Sequence, residues 1–600
     1  MLATLLKKLV KSEVLFVIFF TTLILTLNII PMILQTRHSK PDLVFSLVHN
    51  NIQDFYFYQS IMNQGANGAW LISDPYTTEP HQTSFIFAYF AWAGKLSRLF
   101  SVPYAYLYHF FRFLSGFLLF FFVYRLIKKL AIPYPRLAFL FFVFASPLLH
   151  QKVENGITTF VPYMNWWTGM DAIRRSAYLP HHMICALLLV LILLLLLSFW
   201  EKIKLKTFLT MIVLGISMSF IHTPSMLILL MILPPTLFIN FFSNQITLKG
   251  HNLVIKTHFP KLKKYLLLLA YWLIGLLALL LMVSQTNKGF PWSQYLDLEK
   301  NLQFRLESEL IGALGILTPF ALVGLVKSLI SRKFSSILIA CWLVIPFLLI
   351  PFATKLNISN IRLIQGVPYL PLAILAVMGT DCIIQFLKTL SIKLYLSHNS
   401  MHEARNSRQI QDLNFKNSKY LKILRLSSIS IFGFRIFQPL VTLNYWLIGL
   451  LILLFTINTL PTLKWSMRDQ IAEYWYFYRN VYLQKNLFPA FSFINKNYPP
   501  KTKTLSTFYT GNYLPAFTNT ISFIGHFGYT YNLVEKQTLM EKFLGNIMSE
   551  QEAKNFLLNN KINLVFQGSE EKFYYHSYLY PTLLNPDYDK EGITIYSTNY

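Results

Sequence analysis

Eleven apolar runs of 16 to 23 residues, separated mostly by short polar loops, recur along this 600-residue chain. They lie at about 14–34, 104–124, 135–150, 181–199, 207–223, 225–242, 265–283, 311–328, 335–353, 362–384 and 440–460. A bilayer core about 30 Å thick takes roughly 20 apolar residues per helix. Runs of this length and number therefore restrict the chain to an α-helical polytopic membrane architecture with about 11 transmembrane helices. Water-soluble packing could not absorb them, because only 13% of the residues are charged, against about 25% in ordinary soluble domains. A cytosolic enzyme, a disordered scaffold and a nucleic-acid-binding domain are excluded on the same ground. The three cysteines, Cys185, Cys341 and Cys382, all lie in apolar runs and form neither a metal spacing nor a disulfide framework.

The net charge of +27 is unevenly placed. Residues 464–600 carry 13 basic and 11 acidic side chains, so the first 463 carry 40 and 15. Lys7, Lys8 and Lys11 precede the first run, which puts the N-terminus in the cytoplasm. Alternating from there places 27 basic and 4 acidic residues inside, and 12 and 10 in the outside loops. That asymmetry supports eleven spans and an external C-terminus. The 84–100 segment is apolar too, but a span there would send Arg125, Lys128 and Lys129 outside. It reads instead as a surface or re-entrant helix with Lys95 and Arg98 at the headgroups.

Four regions follow. Residues 1–387 form a transmembrane module with a long first external loop, 35–103. Residues 388–438 form a basic cytoplasmic linker, and 439–463 the last transmembrane helix. In 464–600, strand-like runs (Thr504–Tyr509, Ile562–Phe566, Ile593–Tyr596) alternate with helical ones (Phe488–Asn497, Thr538–Ile547, Ser549–Asn559). Such alternation predicts a small external α/β domain.

Ionisable residues inside the spans are few: Arg112, His222 and Asp381. Polar groups gather in the external loops instead, which argues against an ion-coupled transporter. The first loop reads His49-Asn50-Asn51-Ile52-Gln53-Asp54-Phe55-Tyr56-Phe57-Tyr58, followed by Asp74-Pro75-Tyr76 and Glu79-Pro80-His81. Asp54 among aromatics near a membrane surface suits a general base or a cation ligand. It equally suits the cap of a helix starting at Phe55. Arg174 and Arg175, then His181 and His182 at the mouth of a span, offer cations that can meet an anionic substrate or lipid headgroups. Arg112 lies mid-span and must find a partner.

An external-loop Asp54 with Tyr58 four residues on, then Gly65 and Gly68 leading to a surface helix, resembles the GT-C superfamily. So does the tail Ala490-Phe491-Ser492-Phe493-Ile494, Gly511-Asn512-Tyr513-Leu514-Pro515-Ala516, Gly525-His526 and Tyr529-Thr530, which is similar to uncharacterised bacterial members. These are integral-membrane glycosyltransferases that use polyprenyl-phosphate-linked sugars. The resemblance implies transfer of a hexosyl or pentosyl unit to an acceptor hydroxyl on the outer face of the plasma membrane, with inversion and with Asp54 as general base. It implies substrate contacts from Tyr58, Glu79, Arg174, Arg175, His181, His182 and Arg362, the last near the outer start of the tenth span. The resemblance allows a divalent cation and implies no other cofactor, but Asp54 is followed by Phe55 where many members carry paired acids, a departure that weakens any metal role. Expected partners are the lipid-linked donor, membrane lipids and a saccharide, lipid or protein acceptor, with no nucleic acid. A flippase of lipid-linked saccharide is the rival reading, but no repeat relates the halves. An O-antigen-type polymerase or ligase is another, but its large loop usually comes late in the chain.

Overall fold

The computed structural model describes residues 12–249, 252–255, 262–306, 308–365, 368–410, 445–472, 478–574 and 579–599. Among them, nine helices are long and apolar enough to cross a membrane: Glu13–Arg37, Tyr104–Lys129, Pro180–Glu201, Thr223–Ser243, Leu262–Lys288, Leu310–Ile330, Phe334–Phe352, Tyr369–Leu390 and Tyr445–Ala472. The other two expected spans are the shorter apolar helices Pro135–Phe144 and Leu205–Ile221. At 1.5 Å per residue the 10-residue Pro135–Phe144 helix is about 15 Å long, roughly half a hydrocarbon core. Its run of apolar residues goes further, but Pro147 has no amide proton and disfavours a helical Ser146. The chain leaves instead as an antiparallel hairpin, Leu149–Glu154 with Ile157–Pro162.

The tenth run also starts differently from its sequence. Residues Asn360–Ile364 form a 3₁₀ turn, and the helix begins only at Tyr369, after Pro368. That helix continues to Ile410, so the first part of the expected linker is helical, while 411–438 lies outside the described residues. The last span runs on to Ala472, past the expected boundary at 463.

Arg112 donates to the Asn28 side chain, and Asn28 in turn donates to the Ile173 carbonyl at 2.7 Å. Asp381 pairs with Lys327 at 2.7 Å. Both intramembrane charges thus have a polar partner, as a low-dielectric setting requires.

The C-terminal region holds a five-stranded sheet in the order Leu584–Lys590, Ile593–Thr598, Leu564–Gln567, Lys503–Leu505, Ile521–Ser522. The first three strands pair antiparallel and the last three parallel. Helices Leu487–Asn497, Phe508–Phe517, Leu533–Leu544 and Glu550–Asn559 accompany it. A capping box between Ser549 and Glu552 starts the last of these.

This region is built onto the first loop. Strand Leu43–Phe45 pairs antiparallel with Tyr482–Gln484. The Ser522 amide donates to the Pro75 carbonyl at 2.8 Å. Tyr56 donates to the Asn480 carbonyl, and Asn63 to those of Pro515 and Thr518. One buried apolar cluster accordingly runs from Phe55, Phe57 and Ile61 to Phe491, Leu514 and Ile595.

The 84–100 segment is a 13-residue helix, Ala88–Phe100, too short to span. Its Phe90, Ala91, Gly94 and Ser97 are buried, while Trp92, Leu99 and Phe100 are more than 60% exposed. It packs on the Ile52–Ala66 helix through glycine. A Cβ at Gly65 would strike the Ala91 carbonyl, and one at Gly94 the Met62 carbonyl.

Candidate active site

A cavity of about 970 Å³ lies between the first-loop helix, the hairpin-to-span segment 165–182, the turn at His222 and the end of the last span. Asp54, Tyr58, Arg174, His181, His182 and Arg362 all line it. Six of the eight side chains singled out from sequence therefore share one space, although they come from four separate stretches of chain.

Asp54 sits in the first turn of the Ile52–Ala66 helix. Asn51, not Asp54, is the cap: its Oδ1 accepts from the amides of Gln53 and Asp54 at 2.9 and 3.2 Å. With the capping role taken, the Asp54 carboxylate is turned to the cavity, and its side chain is 34% exposed. Anions are favoured at such a helix start by the unsatisfied amides. Tyr58, one turn on, is buried and stacked on Phe90 at 4.2 Å. Its ring meets His181 edge-on at 5.3 Å.

Arg362 and Arg174 bring the cations. Arg362 is carried by the 3₁₀ turn before its span, and its guanidinium grips Glu299 through Nε and Nη2, with Nε at 2.9 and 2.8 Å from the two carboxylate oxygens. Arg174 sits in a short helix capped by Asp171, and its Nη2 donates to Asp469 at 2.7 Å. Glu299 and Asp469 line the same cavity. His181, His182 and His222 cluster beside them, with ring centroids 4.0 to 5.6 Å apart, and the His222 Nδ1 lies 2.8 Å from the Ser225 hydroxyl. Burial pushes the Tyr178 hydroxyl in the cavity wall up to about 12, and burial together with the Arg112 charge holds His49 well below its ordinary value. His49 is therefore neutral at pH 7 and stands within 3.2 Å of the Tyr108 hydroxyl.

Two expected site residues do not reach the cavity. Glu79 pairs with Lys536 at 2.7 Å, across the seam between first loop and C-terminal region. Arg175 turns the opposite way from Arg174, because adjacent helical side chains point about 100° apart. It donates to the carbonyls of Met170 and Ala145 at 3.0 and 2.8 Å, with its guanidinium 4.2 Å over the Tyr369 ring. Its role is to hold the hairpin-to-span segment against the tenth span.

Sequence reading missed Glu299, Asp469 and Gln470, which also line the cavity, as does Tyr529 from the C-terminal tail. An acid in the 284–310 loop had no local motif to mark it. Asp469 falls in the expected C-terminal region because the last helix runs nine residues beyond the boundary expected at 463. Among the described residues no group of three or more His, Cys, Asp or Glu side chains is arranged to hold a metal ion. Glu299 and Asp469 are engaged by arginines, so the donor set does not fit a divalent cation.

No family model matches the chain, and no curated protein matches it. Among solved structures, the chain is similar to the archaeal oligosaccharyltransferase AglB from Archaeoglobus fulgidus in complex with an inhibitory peptide and a dolichol-phosphate. The identity is 13% and the TM-score 0.48, over 97% of this chain and 74% of that one. A second structure of that oligosaccharyltransferase, a complex with Zn and sulfate, aligns at 12% identity and TM-score 0.47, over 96% and 73%. ArnT from Cupriavidus metallidurans bound to undecaprenyl phosphate aligns at 12% identity and TM-score 0.45, over 98% of each chain. At this distance the neighbours lend no chemistry to the chain, and the functional reading rests on the cavity itself.

Proposed function

We propose that the chain is a membrane glycosyltransferase that moves a sugar from a polyprenyl-phosphate-linked donor to an acceptor hydroxyl, with inversion at the anomeric carbon. The observation that carries the reading is one cavity in which a half-exposed carboxylate, Asp54, faces two arginines, Arg362 and Arg174, at the same end of the spanning helices. Transfer from a lipid phosphate needs these two halves. As the acceptor oxygen bonds to the anomeric carbon, its proton passes to Asp54. The bond from that carbon to the phosphate oxygen breaks, and the electron pair leaves with the lipid phosphate. Negative charge growing on that oxygen is stabilised by guanidinium groups, whose planar fork suits phosphate. Base and cations come from different segments of the chain around one cavity, an arrangement that suits an in-line displacement with inversion. No step is routed through a metal ion.

The test is incubation of the full-length protein in lipid nanodiscs with radiolabelled undecaprenyl-phosphate-linked hexoses and pentoses. Release of undecaprenyl phosphate coupled to label transfer is the expected outcome. Inertness toward every donor overturns the reading.

The orientation rests on the charge asymmetry, and it places the cavity on the external face. A cysteine introduced at Asn155, the exposed hairpin tip, should react with an impermeant thiol reagent added to intact cells, and one at Ser331 should not. The reverse pattern inverts the topology.

A further inference from the structure

The C-terminal region contributes a side chain that the reaction above does not use. His526 is 2% exposed, yet its Nε2 lies 3.4 Å from the Asp54 Oδ1 and makes no hydrogen bond that meets ordinary geometry. A buried polar nitrogen without a hydrogen bond is costly and calls for an explanation. The tautomer supplies one. Nδ1 of His526 accepts the Gly528 amide proton at 3.0 Å, so in the neutral ring Nδ1 is bare and the proton sits on Nε2. The one N–H of the ring is thereby on Nε2, the atom that lies 3.4 Å from the Asp54 Oδ1.

The loop that does this is over-determined. The amides of Gly525 and His526 both donate to the Thr530 hydroxyl, at 3.2 and 3.1 Å, and the Thr530 amide donates back to the His526 carbonyl at 3.0 Å. Gly511 lets helix Phe508–Phe517 press on the strand before the loop, since a Cβ there would strike the Ile524 carbonyl. The imidazole is stacked between Tyr76 and Phe527, with centroids at 5.5 and 5.2 Å. The Phe527 amide donates to the Gln53 side chain at 3.0 Å, next door to Asp54. Backbone, stacking and a long-range hydrogen bond thus fix the ring against Asp54, which among the described acids lining the cavity is the one without an arginine partner.

We propose that His526 is a positioning residue for Asp54. Its Nε2–H steers Oδ1, which leaves Oδ2 directed into the cavity to take the acceptor proton. The long resting distance shortens when substrate orders the carboxylate, as catalytic hydrogen bonds commonly tighten on binding. The C-terminal region then is part of the active site, not an appendage to it. This inference rests on Asp54 acting as the base.

The experiment compares His526→Phe, which keeps the stacked ring but has no donor, with His526→Gln, which keeps an N–H. Both are made in full-length protein, alone and together with Asp54→Asn, and turnover is read with whichever undecaprenyl-phosphate sugar is active. His526→Phe should lower kcat about 10- to 150-fold, the equivalent of losing one hydrogen bond to a charged group, with KM little changed. His526→Gln should restore part of the loss. In the Asp54→Asn background His526→Phe should have no further effect on kcat, because the two act as a unit. An equal further loss in that background, a loss in KM alone, or equal defects in Phe and Gln variants would overturn the proposal.

A second readout needs no turnover. In histidine-labelled protein the ¹⁵N resonances of His526, assigned by their absence in His526→Gln, should show the Nε2–H tautomer, and Asp54→Asn should shift the Nε2 signal. An unmoved signal overturns the contact even where every donor is inert, and a moved one with inert donors leaves the contact standing while the transfer reading falls.

Discussion

The two walls of the cavity are held in opposite ways. On one wall Asp54 has been spared other duties: Asn51 caps its helix, and the C-terminal region braces that helix through Tyr56, Asn63 and Gln53. On the other wall each arginine is already gripped by an acid, Arg362 by Glu299 and Arg174 by Asp469. On the proposed reading the base stands ready, whereas an incoming phosphate must compete with, or join, an existing ion pair. The difference shows why buried cations need partners and a half-exposed carboxylate does not. An unpaired guanidinium in a low-dielectric wall costs several kcal/mol, while water solvates what the protein leaves open on Asp54.

The largest effect that sharpens this contrast is on the base wall. Asp54→Asn keeps shape but cannot take a proton, and general-base contributions run at about 10²–10⁴-fold. Turnover should fall by at least the lower figure, with normal expression and donor binding. A wild-type rate breaks the assignment. On the cation wall, Arg362→Ala should weaken binding of undecaprenyl phosphate about 10- to 150-fold, the equivalent of a charge-assisted hydrogen bond worth about 1.5–3 kcal/mol. Arg362→Lys should recover only part, because an ammonium lacks the fork. Unchanged affinity, measured by tryptophan fluorescence titration, removes Arg362 from the site.

Two smaller effects fall outside the cavity. Arg175→Lys should leave binding intact and lower thermal stability by about 1–3 kcal/mol, since carbonyls that shared a guanidinium lose donors. A binding defect without a stability defect would mean that Arg175 belongs with Arg174. The last concerns the Glu79–Lys536 pair, in which a buried ammonium meets a half-buried carboxylate at the seam. Burial alone would raise the Glu79 carboxyl, but the hydrogen bond and charge of Lys536 outweigh it and hold it below its ordinary value. Lys536 is itself depressed by burial despite Glu79, so on its side desolvation wins. A depressed carboxyl stabilises the fold above its unfolded pKa and loses that contribution as pH falls through the folded value. The difference in thermal midpoint between wild type and Glu79→Gln should therefore hold at pH 6 and shrink as the pH falls below about 4.5. A constant difference would show that the pair does nothing for the seam.

The spans were legible because an apolar run of bilayer length has few alternatives, and the sequence failed where proline intervenes, at Pro147 and Pro368. Asp54 and Arg362 could be singled out because each is a lone charge, Asp54 just before a run of aromatics and Arg362 at the start of the tenth apolar run. Glu299, Asp469 and His526 were not, because each acquires its place through a partner tens or hundreds of residues away. Arg174 and Arg175 looked equivalent for the opposite reason. One helical step separates a cavity wall from a cage of carbonyls, and a dipeptide does not reveal which way the turn begins.

The glycine contact between Ile52–Ala66 and Ala88–Phe100 has a consequence for where the chemistry happens. The second helix offers Trp92, Leu99 and Phe100 outward, with Trp70 beside it under the Lys95 ammonium at 4.2 Å, the composition of an element floating at a lipid surface. With no side chain at Gly65 or Gly94 to act as a cushion, Asp54 rides on that float. Its height above the hydrocarbon is then gauged from the surface of the bilayer and not from its thickness. In thinner or thicker membranes the spans can tilt to fit, while the carboxylate keeps its level relative to the headgroup layer, where the proposed lipid-linked donor would present its sugar.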